Sequence, residues 1–331
     1  MSRSGDSVEF SGLGLAFVQS IEPRGFLGLS LRHGLLNLAT LTAHRFWGQS
    51  KVRRRIWGSM GLYGEPLTYV GGGREVFVGF VLKVLTIGGP LLAAVLAVQA
   101  WGPLQGGLVA VAAWLTIAFV EGLGRFGAFL YTASRTEWRG VHFELHGSPL
   151  EFALAHMKDA SLTLATFGWW LPVAHRRQAG SLWGGLTFMG QRLGFDMAAS
   201  RRRHVYSAFA IGWFGTVMML LFVGGILLGL TSGVVLDLVS ASVAEVIGLF
   251  ALGLALLVSL AAVWAPYQAA RWSSTAAGLG FSLPICWWGM AGLNAGNATL
   301  RLVSLGILGP YVQARTSAFM LQRLSGTLWL G

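Results

Sequence analysis

Charged side chains are scarce in this chain: Asp, Glu, Lys and Arg make up only 11% of its 331 residues. Soluble domains carry about 25%, and so few charges cannot coat a soluble protein of this size. Cysteine is nearly absent. The single Cys286 excludes an intrachain disulfide and reads as a small buried apolar residue. Lysine occurs only at Lys51, Lys83 and Lys158, so the net charge of +11 rests almost wholly on arginine. No nucleophile elbow, P-loop, HExxH or paired carboxylate set is present. His142 and His146 flank a strand-like patch, and the histidines offer no set of four groups at metal-ligand spacing. No metal and no cofactor is expected, and an enzyme is the least favoured class. Residues 1–24 carry Asp6, Glu9 and Glu22 and lack an apolar core, so no cleavable signal peptide is expected.

Apolar residues make up 54% of the sequence, with 14 Trp and 47 Gly. Aromatic belts and small residues between packed helices are membrane features. Four clean hydrophobic runs stand out, at 76–99, 106–123, 205–230 and 243–264. Each is about as long as a bilayer crossing requires. Three further apolar segments are interrupted mid-length, by Arg32, by Lys158–Asp159 and by Arg301. A charge at the bilayer centre costs roughly 2.5–3.5 kcal/mol on insertion scales.

Charge distribution decides between four and seven crossings. The loops 45–75 and 175–204 each hold six Lys or Arg residues, whereas 99–105 and 231–241 hold none. Basic loops stay in the cytoplasm, and seven crossings would put the two basic loops on opposite sides. Four crossings place both there, together with both termini. The interrupted helices then lie in the interface or dip into it. Short strand-like patches at 8–10, 67–70, 141–145, 192–196 and 279–283 fall on the same side, and at least two are expected to pair.

An internal repeat runs through the chain. Leu162, Leu164, Thr166, Gly168, Pro172 and Arg177 lie 138 positions before Leu300, Leu302, Ser304, Gly306, Pro310 and Arg315. Phe143 and Phe281 keep that offset, as do Gly140 and Gly278. A looser copy, Leu38-Ala-Thr-Leu41, matches Leu164-Ala-Thr-Phe167. The expected fold is an all-α polytopic membrane domain over 1–331. Hydrophobic hairpins 76–123 and 205–264 separate repeat units at about 25–75, 131–204 and 265–325, with short cytoplasmic strands. The prolines after Gly168 and Gly306 predict a helix interruption in both units.

The first basic segment runs from an apolar tail through Phe46 and Trp47 into Lys51, Arg53, Arg54 and Arg55, closed by Trp57. Apolar, aromatic, cationic is the order met on leaving a bilayer on its cytoplasmic side. The string Arg45-Phe-Trp-Gly-Gln-Ser-Lys-Val-Arg-Arg-Arg-Ile-Trp57 resembles a pattern of the YjgN family, bacterial inner-membrane proteins defined by a domain of unknown function. Glu65-Pro-Leu-Thr-Tyr-Val-Gly71 and Tyr131 to Gly140 resemble two further segments of that family. Thr42 replaces the usual Gly, His175-Arg-Arg177 is a thin basic run, and the third unit has lost most of its Arg. The resemblance implies a multi-pass inner-membrane fold and no established activity.

The arginine–aromatic clusters carry the functional expectation. Arg45, Lys51, Arg53, Arg54, Arg55, Arg176, Arg177, Arg201, Arg202 and Arg203 suit lipid headgroups or a partner protein, each worth about 1 kcal/mol near an anionic surface. Their alternative role is to fix topology. Phe46, Trp47, Trp57, Trp169 and Trp170 are expected interface anchors. The reading is a lipid-contacting scaffold, or partner of another membrane protein. The alternative is a transporter or channel-like protein. Membrane lipids, anionic ones first, are the expected ligands. Nucleic acid is not expected.

Overall fold

The computed structural model describes residues 17–19, 21–40, 44–62, 65–201, 204–233, 253 and 255–326. The strand-like patch at 8–10, Arg202, Arg203, the loop 234–241 and the run 243–252 lie outside them. Uninterrupted apolar sequence forms long helices. Helix α3, Gly73–Gly102, and helix α4, Leu104–Ser134, make a hairpin. It folds at Gly102, whose φ of 80° suits a residue without a Cβ. Helix α7 covers His204–Gly233. Among the described residues, α3, α4 and the stretch His204–Gly225 are long and apolar enough to cross a membrane. Thirty residues of helix extend about 45 Å, against a hydrocarbon core of about 30 Å. Their apolar side chains face outward: Leu85 is 65% exposed, Leu104 85% and Leu220 66%. Helix α4 runs further than the hydropathy predicts, because Arg125 pairs with Glu121 one turn away at 2.8 Å and both charges stay on the helix.

The interrupted segments form pairs of shorter helices. Helix α1, Leu27–Ala39, precedes α2, Arg45–Trp57. Helix α5, Pro149–Ala165, precedes α6, Leu171–Gly184. Helix α8, Ala265–Gly278, leads into α9, Trp287–Val303, and α10, Gly309–Leu321. All of these have 13 to 17 residues, fewer than the roughly 20 a crossing needs. The basic segment 45–57 is thus a helix in its own right. Both expected interruptions are present. Phe167 and Gly168 have φ of 51° and 95°, and Leu305 and Gly306 have 49° and 83°. The left-handed pair stops the helix, which glycine allows at no steric cost. Pro172 and Pro310 then sit in the first turn of α6 and α10, where a missing N–H does no harm.

One hydroxyl bridges each break. Thr166 Oγ1 donates to Leu162 O at 2.7 Å and accepts from Trp170 N at 3.0 Å. Ser304 Oγ bridges Leu300 O and Leu308 N in the same way. Thr40 Oγ1 does so for Leu36 O and His44 N.

Strand β1, Phe17–Gln19, pairs with β2, Met60–Leu62, which pairs with β3, Glu65–Pro66. A five-stranded antiparallel sheet follows in the order β4 to β8: Thr68–Tyr69, Thr136–Trp138, Val141–Leu145, Leu186–Phe188 and Gln191–Arg192. The patches at 67–70 and 141–145 therefore share one sheet. The patch at 192–196 contributes only Arg192. The patch at 279–283 forms a single bridge, Ser282 to Ser325. Its backbone is used otherwise, since Gly280 N and Phe281 N bond back to Ala277 O and Ala276 O at the end of α8. Gly278 is the last residue of that helix, whereas Gly140 turns a hairpin with φ of 75°. That glycine match does not hold in three dimensions.

Close backbone contact locks α5 onto α4: a Cβ on Gly122 would lie 2.7 Å from Ala153 Cα. Phe26, Val52 and Ile56 pack on Ala314 and Ala318 of α10. The sheet packs on the end of α8 through Trp138, Phe188, Ala276 and Phe281.

Candidate functional site

Between the sheet and the last three helices lies a cavity of about 1370 Å³. Small-molecule pockets measure about 300–1,000 Å³. Most of its wall is apolar and aromatic, with Trp57, Phe129, Trp138, Phe143, Trp183 and Phe188 contributing. Polar groups come from α8, α9 and α10, with Gln268, Arg271, Asn294, Asn297, Arg301 and Thr316, and from α4 and the sheet, with Thr132, Thr136, Arg139 and Gln191. Spacings of three residues in α8, and of three, four and seven in α9, put their groups on one face of each of those two helices. Several hold each other. Asn294 Nδ2 donates to Gln268 Oε1 at 3.0 Å, and Asn297 Nδ2 to Thr316 Oγ1 at 3.0 Å. Arg271 and Arg301 make no ion pair among the described residues.

Arg271 and Thr275 also line a second, small cavity of about 30 Å³, between α6, α8 and the start of α7. His175, Arg176, Tyr206, Tyr267 and Ser274 complete its polar wall. His175 Nδ1 and Tyr267 Oη share a hydrogen bond of 2.7 Å. Burial, with the Arg271 charge adding, pushes the His175 pKa down to about 4. Burial raises the Tyr267 hydroxyl and lowers the Arg271 guanidinium. His175 is therefore neutral and Arg271 still charged at neutral pH.

A separate polar core fastens α5 to α6. Asp159 is 1% exposed, and its Oδ1 accepts from Trp170 Nε1 and Arg177 Nη1, both at 3.0 Å. Asn297, at the same 138-residue spacing, takes the corresponding contact from Arg315 Nη1 at 3.5 Å. In the first helix pair the buried His33 meets His44 at 2.9 Å, ring nitrogen to ring nitrogen. His33 and His44 precede Asp159 and Trp170 by 126 residues, as Leu38 precedes Leu164. Burial lowers the His33 pKa, with the charges of His44 and Lys51 adding to it.

The expected headgroup residues are dispersed by the fold. Arg45, Lys51, Arg54, Arg55, Arg177 and Arg201 are exposed, Arg53 and Arg176 partly buried. Several are occupied internally. Arg53 Nη1 donates to Tyr69 Oη at 3.3 Å, Arg54 Nε to Tyr69 O at 3.2 Å, and Arg55 lies over the Phe26 ring. Of the expected anchors, Trp47 is 42% and Trp169 37% exposed. Phe46 is buried against Phe77 and Phe80, so it is a packing residue and not an exposed anchor. Trp57 and Trp170 are partly buried, their indole N–H groups given to Thr136 and Asp159. The sequence did not single out Arg271. Its only local signal was the spacing of Gln268, Arg271 and Thr275 along a helix that also carries Ser273 and Ser274.

Fold and site define a mostly helical protein with three apolar helices of membrane-crossing length among the described residues and a large, partly open apolar cavity. Residues 22–328 match the model of a bacterial protein family of unknown function, DUF898, the YjgN family, and the chain belongs to it. No curated protein and no solved structure matches the chain.

Proposed function

We propose that this is a multi-pass protein of the bacterial inner membrane that binds lipid in the interior cavity and contacts headgroups with its exposed arginines. The observation that carries the reading is the cavity: too large for a typical small ligand and walled mostly by apolar and aromatic side chains, with a minority of polar groups. Two native-state variants test it. Ala276 and Ala298 line the cavity. Ala276→Phe and Ala298→Phe should each reduce the lipid that stays with the purified protein in native mass spectrometry. Unchanged lipid stoichiometry in both folded variants would count against an interior site.

The three helix–hydroxyl–helix pairs are, in this reading, copies of one re-entrant unit. Support comes from the matching element bounds and interior polar contacts of all three, and from the left-handed turns of the second and third. The exposed apolar tips Phe167 (82%) and Leu305 (84%) suit a turn immersed in lipid. Trp213 Nε1 donates to Phe167 O at 2.8 Å. Trp213 stands nine residues into α7, about 13 Å along it, so the turn lies deep beside a crossing helix. Four crossings follow, with both termini and both basic loops in the cytoplasm. Reporter fusions at Gly102 should then read periplasmic and at Gly190 cytoplasmic. A periplasmic signal at Gly190 would sink the topology.

A further inference from the structure

Two arginines in the small cavity between α6 and α8 have no acidic partner among the described residues. Arg271 takes part in no ion pair and no side-chain hydrogen bond among the described residues. Its contact is the face of Trp272, 5.4 Å away. The Nε of Arg176 is buried and has no hydrogen-bond partner among the described residues. The groups around them are neutral. Tyr206 carries a hydroxyl at the wall, Thr275 Oγ1 donates to Arg271 O at 3.0 Å, and His175 is bonded to Tyr267. Ser274 Oγ already donates to Ser200 O, which fixes one rim. Both arginines are partly buried, and a guanidinium drawn partly out of water without an anion loses hydration that is not replaced. Two of them facing one cavity also repel each other. An oxyanion relieves both terms at once, since guanidinium N–H groups bind carboxylate and phosphate oxygens in charge-assisted pairs.

Size and position narrow the ligand. A water needs about 10–15 Å³ of such space, so about 30 Å³ admits the oxygens of an acid group and little more. Arg271 and Thr275 stand on the wall shared with the 1370 Å³ apolar cavity. We propose that the pair Arg176 and Arg271 is an oxyanion site that holds the acidic head of the lipid whose chains fill the apolar cavity. The bound species is thus an anionic amphiphile, chosen over zwitterionic lipid by this pair. The inference rests on the interior lipid site proposed above and adds its headgroup selectivity.

The full-length protein, stripped of lipid in detergent, is offered mixed vesicles of phosphatidylglycerol and phosphatidylcholine. Retained lipid is counted by native mass spectrometry. The native protein should prefer phosphatidylglycerol at least tenfold, about what one charge-assisted hydrogen bond supplies at the low end of its range. The double variant R176Q/R271Q should retain lipid with that preference close to unity. R176K/R271K keeps both charges and should recover part of it, which separates charge from folding. A preference unchanged in R176Q/R271Q overturns the assignment, and so does equal retention of the two lipids by the native protein. Inorganic phosphate, titrated calorimetrically, tests the source of the anion. Saturable binding that R176Q/R271Q abolishes, without any lipid preference, would make this a site for a soluble anion and overturn the lipid assignment. If the cavity-filling phenylalanines leave lipid stoichiometry intact, the interior lipid site fails instead, whatever the arginine variants do.

Discussion

Asp159→Ala is expected to lower stability by about 2–3 kcal/mol, one of the two largest effects anticipated for this protein. The carboxylate is 1% exposed and accepts from two donors. Their contributions differ. Arg177 is 43% exposed on its side chain, so it regains water when the pair is broken and adds little. The Trp170 indole N–H is partly buried and would be left unpaired. The truncation also opens a void between α5 and α6. Asp159→Asn should cost about 1 kcal/mol or less, because an amide oxygen can accept from the same indole. Asn297 already fills the corresponding position opposite Arg315. Denaturant melts in mild detergent decide the matter. Equal losses for the alanine and asparagine variants would show that the acceptor oxygen is not what holds the two helices.

Acid should destabilise the protein through His175 by a comparable amount. Its folded pKa of about 4 lies below the ordinary 6.5. Above pH 6.5 the ring is neutral in both folded and unfolded chains, and stability is at its full value. Below 6.5 the unfolded chain takes up a proton that the folded one refuses, so stability falls as pH falls. The decline ends near pH 4, where both states are protonated. Over that window the loss amounts to about 3 kcal/mol at 1.36 kcal/mol per unit. Burial shifts His33 and His156 in the same direction, so the His175 share is read as a difference. His175→Gln should lose about 3 kcal/mol less than the native protein between pH 7 and pH 4. Parallel pH profiles for the two proteins would show that His175 is not held neutral.

Sequence and structure agree most closely where the signal is local. Left-handed turns at Gly168 and Gly306 fall where Gly and a following Pro stand in the chain. Val141–Leu145 alternates in sequence and pairs on both edges. The patch at 279–283 alternates too, yet stays mostly unpaired because the end of α8 consumes its N–H groups. Its length and pattern could not reveal that competition. Helix α4 outran its hydropathy for a similar reason: an ion pair one turn apart lets two charges remain on a helix.

Composition, hydrophobic run length and the placement of arginine were enough to establish the broad class, and Gly168 and Gly306 with the prolines after them marked two breaks between the short helices. These are properties of consecutive residues, and the bilayer acts on them segment by segment. Which arginine stays outside and which is enclosed depended on packing. Arg54 and Arg176 both lie in basic runs, but Arg54 reaches the backbone of Tyr69 while Arg176 lines a small cavity with Arg271. Helices α6 and α8 bring those two arginines together from distant parts of the chain. The apolar cavity likewise draws its wall from α2, α4, the sheet and the last three helices. No stretch of sequence carries that information, because a cavity exists only between elements that have already packed.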